Sequence, residues 1–253
     1  MLRMFVSVAR GRMLAEMTDP CFDLGLYALP EAARLARVPR KTLANWVEGY
    51  RYPAGERVVK AKPVIVPTPG GRGAALSFVN LMEALTLAGF RQMGVPMQRV
   101  RKALDYAARH SDIAHLLANQ RLLTDGRELF WEFQERSRDG EAHLVNMSRG
   151  GQKVFPDAVM RYLREMEWGR DRFASRWWPG AVPGEGIVVV DPRRAFGAPV
   201  LRGTGIRTED VFSRFSAGEP LGDLADDYGL SLAQIEAAIR LEVRLLEPER
   251  IAA

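Results

Sequence analysis

Cysteine is almost absent from this chain. Cys21 is the single one in 253 residues, so no internal disulfide can form and no pair of thiols stands at metal-binding spacing; a reducing compartment is the expectation. Histidine is nearly as scarce. His110, His115 and His143 have no convincing nucleophile partner, and no carboxylate set recurs at metal-ligand spacing, which argues against an enzyme, a metal or any other cofactor. Long apolar runs are missing too. Arg3, Arg10 and Arg12 break the apolar stretches of the first 25 residues, so neither an export signal nor a membrane span is expected, and the location that follows is cytoplasmic. Met1, Met4, Met13 and Met17 crowd that opening, which suits an ordered arm, a loose extension or a start set too far upstream. Repeats of solenoid period and low-complexity tracts are also lacking.

What is present is ample apolar material, 47% of the chain, enough for one large core or two smaller ones. Charge is distributed unevenly. Residues 1–70 hold 11 Lys/Arg against 6 Asp/Glu, residues 71–186 hold 17 against 14, and residues 187–253 hold 8 against 11, within a total of +5. A basic front attracts polyanions by releasing their counterions, whereas an acidic back suits a basic protein surface. Uneven solvated charge without a partner is the plainer alternative.

The clearest seam follows Arg176-Trp177-Trp178, where Pro179, Gly180, Pro183, Gly184 and Gly186 remove helix-compatible backbone before a new apolar run. The expected division is therefore an arm at 1–25, a front module at 26–109, a mixed α/β middle at 110–178, a linker at 179–186 and a back module at 187–253. In the middle, Asp125-Gly126 between apolar flanks predicts the tight turn of a hairpin.

Residues 29–48 read as a short helix, a turn at Arg37-Val38-Pro39 and a second helix, with Pro30 and Pro39 suited to helix starts. Leu43, Trp46 and Val47 share one buried face by their i, i+3, i+4 spacing, which leaves Arg40, Lys41, Thr42 and Asn45 outside. Those are the side chains of a recognition helix: cations for phosphates, and forked donors or amides for base edges. The alternative is a structural helical pair with a solvated basic face. The next stretch, 57–76, is extended, proline-studded and glycine-tipped, with Arg57, Lys60, Lys62 and Arg72; it predicts a hairpin wing astride the phosphate backbone. Two helices are expected behind it, at 78–93 and 97–109.

Tyr27, Leu29, Glu31, Ala32 and Ala33, then Thr42, Leu43 and Trp46, then Ser77, Phe78, Asn80, Leu81 and Glu83, and finally Val95, Pro96, Gln98, Val100 and Arg101 together resemble the MerR-like winged helix-turn-helix fold over residues 26–109. The resemblance implies operator DNA as a partner. Arg37 departs from it, standing in a turn where the family often uses glycine to reach left-handed backbone. It also implies a homodimer formed through a long following helix, and residues 97–109 are a shorter stretch without sustained heptads.

In the back module a buried-strand pattern, Ile187-Val-Val-Val190, leads through Asp191-Pro192 to a reversal at Gly203-Thr204-Gly205. Thr208 is placed to cap a helix over 209–216. Pro220 opens a second helix that Gly229 ends, and Ser231 with Gln234 forms a capping box for a long last helix. Ala225 and Gly229 stand at helix-turn-helix spacing. The glycines of 197–205 lack a phosphate-cradling pattern, and Asp223, Asp226 and Asp227 read as a solvated acidic face more readily than as metal ligands. Asp191-Pro192, Gly197, Pro199, Val200, Leu201, Gly203, Thr204 and Ile206 resemble a small domain of bacterial VapB-type antitoxins. Gly205 stands where that family often has a basic residue.

With the front module, the whole resembles a mycobacterial VapB-type antitoxin of a type II toxin-antitoxin system. The expected fold is α+β and mostly helical, with a small helix-turn-helix-like back module preceded by a short β-hairpin. The resemblance implies a cognate toxin with a PIN-like ribonuclease fold; the acidic balance of 187–253 and its late arginines suggest that it is silenced through Asp223, Asp226 and Asp227 on a basic surface, or through Arg240, Arg244 and Arg250 at a carboxylate-lined site. The alternative is a stand-alone MerR-like regulator sensing a small ligand through Phe130, Trp131, Phe133, Trp168, Trp177 and Trp178, although such aromatics usually belong to a core.

Overall fold

The computed structural model describes residues 20–54, 57–67, 76–137, 143–147 and 151–247. The front module opens with α1 (Leu29–Leu35) and α2 (Arg40–Glu48), followed at once by an antiparallel hairpin of β1 (Tyr50–Ala54) and β2 (Arg57–Ala61). Behind it lie α3 (Phe78–Gln92) and α4 (Met97–His110). A capping box starts α3: the Asn80 amide donates to the Ser77 hydroxyl and the Ser77 amide to the Asn80 side chain, both at 3.2 Å. Every residue of α3 from Phe78 to Arg91 is buried, so this helix is the axis of the molecule. It packs closely on α6 (Asp157–Arg164) because Gly89 has no Cβ; one would lie 2.8 Å from Val159 Cα.

The middle contributes α5 (Asp125–Ser137), a two-residue pair of strands, β3 (Asn146–Met147) with β4 (Lys153–Val154), and α6. The hairpin expected at Asp125-Gly126 is instead the first turn of α5. Asp125 accepts from the Arg121 guanidinium at 2.8 Å, an anion favoured at a helix start, and a Cβ at Gly126 would meet Leu116 Cδ1 at 2.9 Å. That glycine serves close packing rather than a reversal.

A four-stranded antiparallel meander then crosses the expected seam: β5 (Met166–Trp168), β6 (Ala174–Trp177), β7 (Val188–Val190) and β8 (Pro199–Leu201), neighbours in that order. The stretch 179–186 joins two paired strands, with Trp177 opposite Val190. Alternation gives each face its own packing: Trp177, Val188, Val190 and Leu201 enter the main core, while Trp178, Val189 and Val200 form a small cluster outside it. The chain closes with α7 (Thr208–Ser216), α8 (Leu221–Tyr228) and α9 (Leu232–Leu246). Gly229 ends α8 in left-handed backbone, φ +63°, and the Ser231–Gln234 capping box starts α9. The architecture is α+β, and one contiguous core runs from Phe22 to Leu245. Among the described residues no helix is long and apolar enough to cross a membrane.

Two further expectations change. Thr208 is the first residue of α7 and does not cap it; its hydroxyl donates instead to the buried Glu242 carboxylate. Of the arm expected at 1–25, residues 1–19 lie outside the described residues, while Pro20–Asp23 form a single turn whose Phe22 packs edge-on against Phe78.

Candidate nucleic-acid interface

The turn between α1 and α2 has Arg37 at φ +55°. A non-glycine residue gives up about 1–2 kcal/mol there, offset by fixed neighbours: the Val38 amide donates to Ala33 O at 3.0 Å, and the Arg37 guanidinium to Glu247 O at 3.3 Å. Leu43, Trp46 and Val47 fasten α2 to the core. Arg40 and Lys41 are exposed and Thr42 and Asn45 half-buried, on the side left over. No acidic residue stands in the first turn of α2, so its free amides and positive dipole end add to the two cations as an anion-binding surface.

The hairpin lies earlier in the chain than expected. Its strands span 50–61, with the tip at 55–56 outside the described residues, and Arg72 falls outside them as well. Of the tract 57–76, Arg57–Ala61 is the second strand of the hairpin, residues 62–67 lie outside the strands, and residues 68–75 lie outside the described residues. Arg51 is directly opposite Lys60, a cation the sequence reading missed. The alternation Tyr50-Arg51-Tyr52 before Ala54-Gly55-Glu56 was the signal for it. Arg51, Arg57, Lys60 and Lys62 are all exposed.

Arg101 of α4 ties the two elements together. Its guanidinium donates to Asn45 O at 3.4 Å at the far end of α2 and to Lys62 O beyond β2, and lies 5.6 Å from the centre of the Tyr50 ring. Burial lowers its pKa from the usual arginine range. The helix α2 and the hairpin are thus held in one fixed relation.

In the back module the motif residues are structural. Asp191 accepts from Arg176 Nε at 2.8 Å and from the Arg193 amide at 3.0 Å; Thr204 Oγ1 donates to Leu201 O at 2.8 Å and closes the reversal at Gly203, φ +79°. Of the acidic trio, Asp223 and Asp226 are exposed on α8, while Asp227 accepts from Arg214 at 2.6 Å. Arg240 pairs with Glu236 at 2.6 Å, and Arg240 and Arg244 border an open groove of about 690 Å³ between α9 and 179–188, floored by Ile187, Val188 and Ile239. Arg250 lies outside the described residues. Front and back are fastened together. Arg34 of α1 meets Glu242 of α9 at 2.6 Å, and the Tyr27 hydroxyl, kept protonated by burial and by the charges of Glu31 and Asp191, donates to Gly197 O at 2.9 Å.

The aromatics considered for an effector pocket are spread out. Phe130 packs with Phe90 and Phe155, Trp131 lies under Lys153, Phe133 faces Tyr106, and Trp177 and Trp178 donate to Glu165 and Glu167. Among the described residues, no three His, Cys, Asp or Glu side chains stand together as metal ligands.

Comparison with known proteins gives these elements relatives. Residues 25–104 match the family described as "Putative DNA-binding HTH domain", and residues 188–241 match "Protein of unknown function (DUF433)". Over 228 residues the chain is 42% identical to "Putative antitoxin VapB45" of Mycobacterium tuberculosis, covering 86% of this chain and 94% of that one. A second protein of that organism, "Uncharacterized protein Rv2308", is 29% identical over 90% of this chain and 94% of its own length. The crystal structure of Rv2018 from M. tuberculosis superposes with a TM-score of 0.70 at 39% identity, covering 86% of this chain and 99% of that one. The chain belongs to the VapB-type antitoxin family with a helix-turn-helix domain that "Putative antitoxin VapB45" represents.

Proposed function

We propose that this protein is the antitoxin of a type II toxin-antitoxin pair: a non-catalytic cytoplasmic protein that binds and silences a PIN-like ribonuclease toxin and reads its own operator to autoregulate. The observation that carries the DNA half is the shared fixing of α2 and the hairpin by Arg101, which presents Arg40, Lys41, Thr42 and Asn45 beside Arg51, Arg57, Lys60 and Lys62. In this reading Lys and Arg on both elements bind phosphates, and Thr42 and Asn45 read base edges. The partner half rests on membership in the family and on the exposed surface of the back module, where Asp223 and Asp226 on α8 and Arg240 and Arg244 beside the apolar groove offer charge around apolar contact area.

The test is co-expression with the reading frames flanking the gene, a ribonuclease assay on any protein that co-purifies, and a gel shift on the upstream DNA. Recovery of a PIN-like ribonuclease that is inactive in the complex and active after separation is the expected result. An operator shift with no recovered partner would replace this reading with a free-standing regulator.

A further inference from the structure

Between β7 and β8 the chain makes a turn whose backbone is costly and whose product faces solvent. Ala195 (φ +45°), Phe196 (φ +53°, ψ +35°) and Gly197 (φ +77°) are left-handed in succession. L side chains disfavour that region, and single residues, not runs, are its usual occupants. The turn is held from several sides. The Gly197 amide donates to Arg194 O at 2.9 Å, the Ala198 amide to Ala195 O at 3.0 Å, and Gly197 O accepts from the buried Tyr27 hydroxyl. A Cβ at Gly197 would sit 2.3 Å from that hydroxyl. What this arrangement presents is the Phe196 ring, 86% exposed, the most exposed large apolar side chain among the described residues. A phenylalanine that stabilises nothing in the fold, on a rigid support and at a conformational cost, has the properties of an interface anchor.

Its surroundings indicate the partner. The back module is acidic overall, yet residues 192–206 contain Arg193, Arg194 and Arg202 and no carboxylate. Arg194 is exposed two residues before Phe196, and the Arg193 guanidinium lies 4.8 Å from the centre of the Phe22 ring. We propose that Phe196 is the apolar anchor by which this protein grips its ribonuclease partner, inserted into an apolar pocket bordered by carboxylates that Arg194 meets. This rests on the toxin reading above and adds to it a contact surface distinct from α8 and α9.

The test uses the full chain and the ribonuclease recovered by co-expression, titrated calorimetrically with wild type, Phe196→Ala, Phe196→Gly and Arg194→Glu. Phe196→Ala is expected to weaken binding at least about tenfold, as truncated anchors do, while leaving the operator shift and Tm unchanged. Phe196→Gly is expected to weaken binding similarly but raise Tm, since glycine relieves the left-handed cost. Arg194→Glu is expected to weaken binding more at low salt than at high salt. Binding of Phe196→Ala equal to wild type would overturn the proposal. So would loss of the operator shift with toxin binding intact, which would assign the ring to DNA, or a lowered Tm, which would assign it to the fold. Failure of the wild-type chain to capture any ribonuclease would overturn the toxin reading first, and this proposal with it.

Discussion

Burial and charge oppose each other at His115. Its imidazole sits in left-handed backbone at φ +45° and Nδ1 lies 2.9 Å from Glu83 Oε1. Burial lowers its pKa, but the charge and hydrogen bond of Glu83, with Asp23 further off, outweigh this and hold it above the ordinary histidine value. A histidine raised in the folded state contributes stability that is full below the unfolded pKa and lost as pH rises through the folded one. Glu83→Gln removes the charge, weakens the hydrogen bond and leaves the burial, so the His115 pKa should fall, as an NMR titration of its ring protons would show. Stability should then no longer decline with pH through that window. None of this was legible beforehand, because nothing in a sequence brings residue 115 to residue 83. Arg37 is the converse: the sequence marked it as standing where glycine is usual, and the backbone takes the left-handed conformation with arginine in place.

At the scale of elements, the helix pair and its buried face were legible because Leu43, Trp46 and Val47 recur with the helical period. The hairpin was legible in kind but not in position. Proline and glycine in 63–71 gave a stronger turn signal than Gly55-Glu56, yet prolines there lack the amides a ladder needs. The corrected register separates two roles that salt dependence distinguishes. Arg51→Ala and Lys60→Ala should each weaken operator binding and reduce the slope of log K against log salt by about 1, as loss of a phosphate contact does. Arg101→Ala removes a group that faces protein. It should weaken binding roughly tenfold by freeing the hairpin from α2, with the slope nearly unchanged. Fluorescence anisotropy across a salt series separates the two, and an Arg101→Ala slope reduced like that of Arg51→Ala would make Arg101 a phosphate ligand instead.

At the scale of the molecule, the two modules share one interior. Arg34 bonds Glu242, which also accepts from Thr208; Tyr27 bonds Gly197; and Arg37 bonds the carbonyl of Glu247 where α9 ends. Glu242 is 3% exposed, so Arg34→Ala would leave a buried carboxylate without its cation, held by the Thr208 hydroxyl. A loss of about 2–3 kcal/mol is expected, read from urea unfolding as a shift of one transition followed by both far-UV dichroism and tryptophan fluorescence. Two separated transitions would mean that the modules fold independently despite the common core.

The sequence by itself determined the helices of the front and back modules and their order, the buried face of α2, the capping box of α9, the reversal at Gly203 and the kinship of both ends of the chain. Each of these is written in neighbours a few residues apart, where period, capping and turn chemistry act. Only the tertiary structure decided that 179–186 joins two strands of one sheet, that Asp125-Gly126 begins a helix, that Arg101 holds the hairpin to α2, and that Phe196 is held out into solvent. Those depend on which distant groups a buried polar atom or a missing Cβ meets, as Tyr27 meets Gly197 across 170 residues. Partners of that kind are chosen by packing of the whole chain, and no local pattern encodes them.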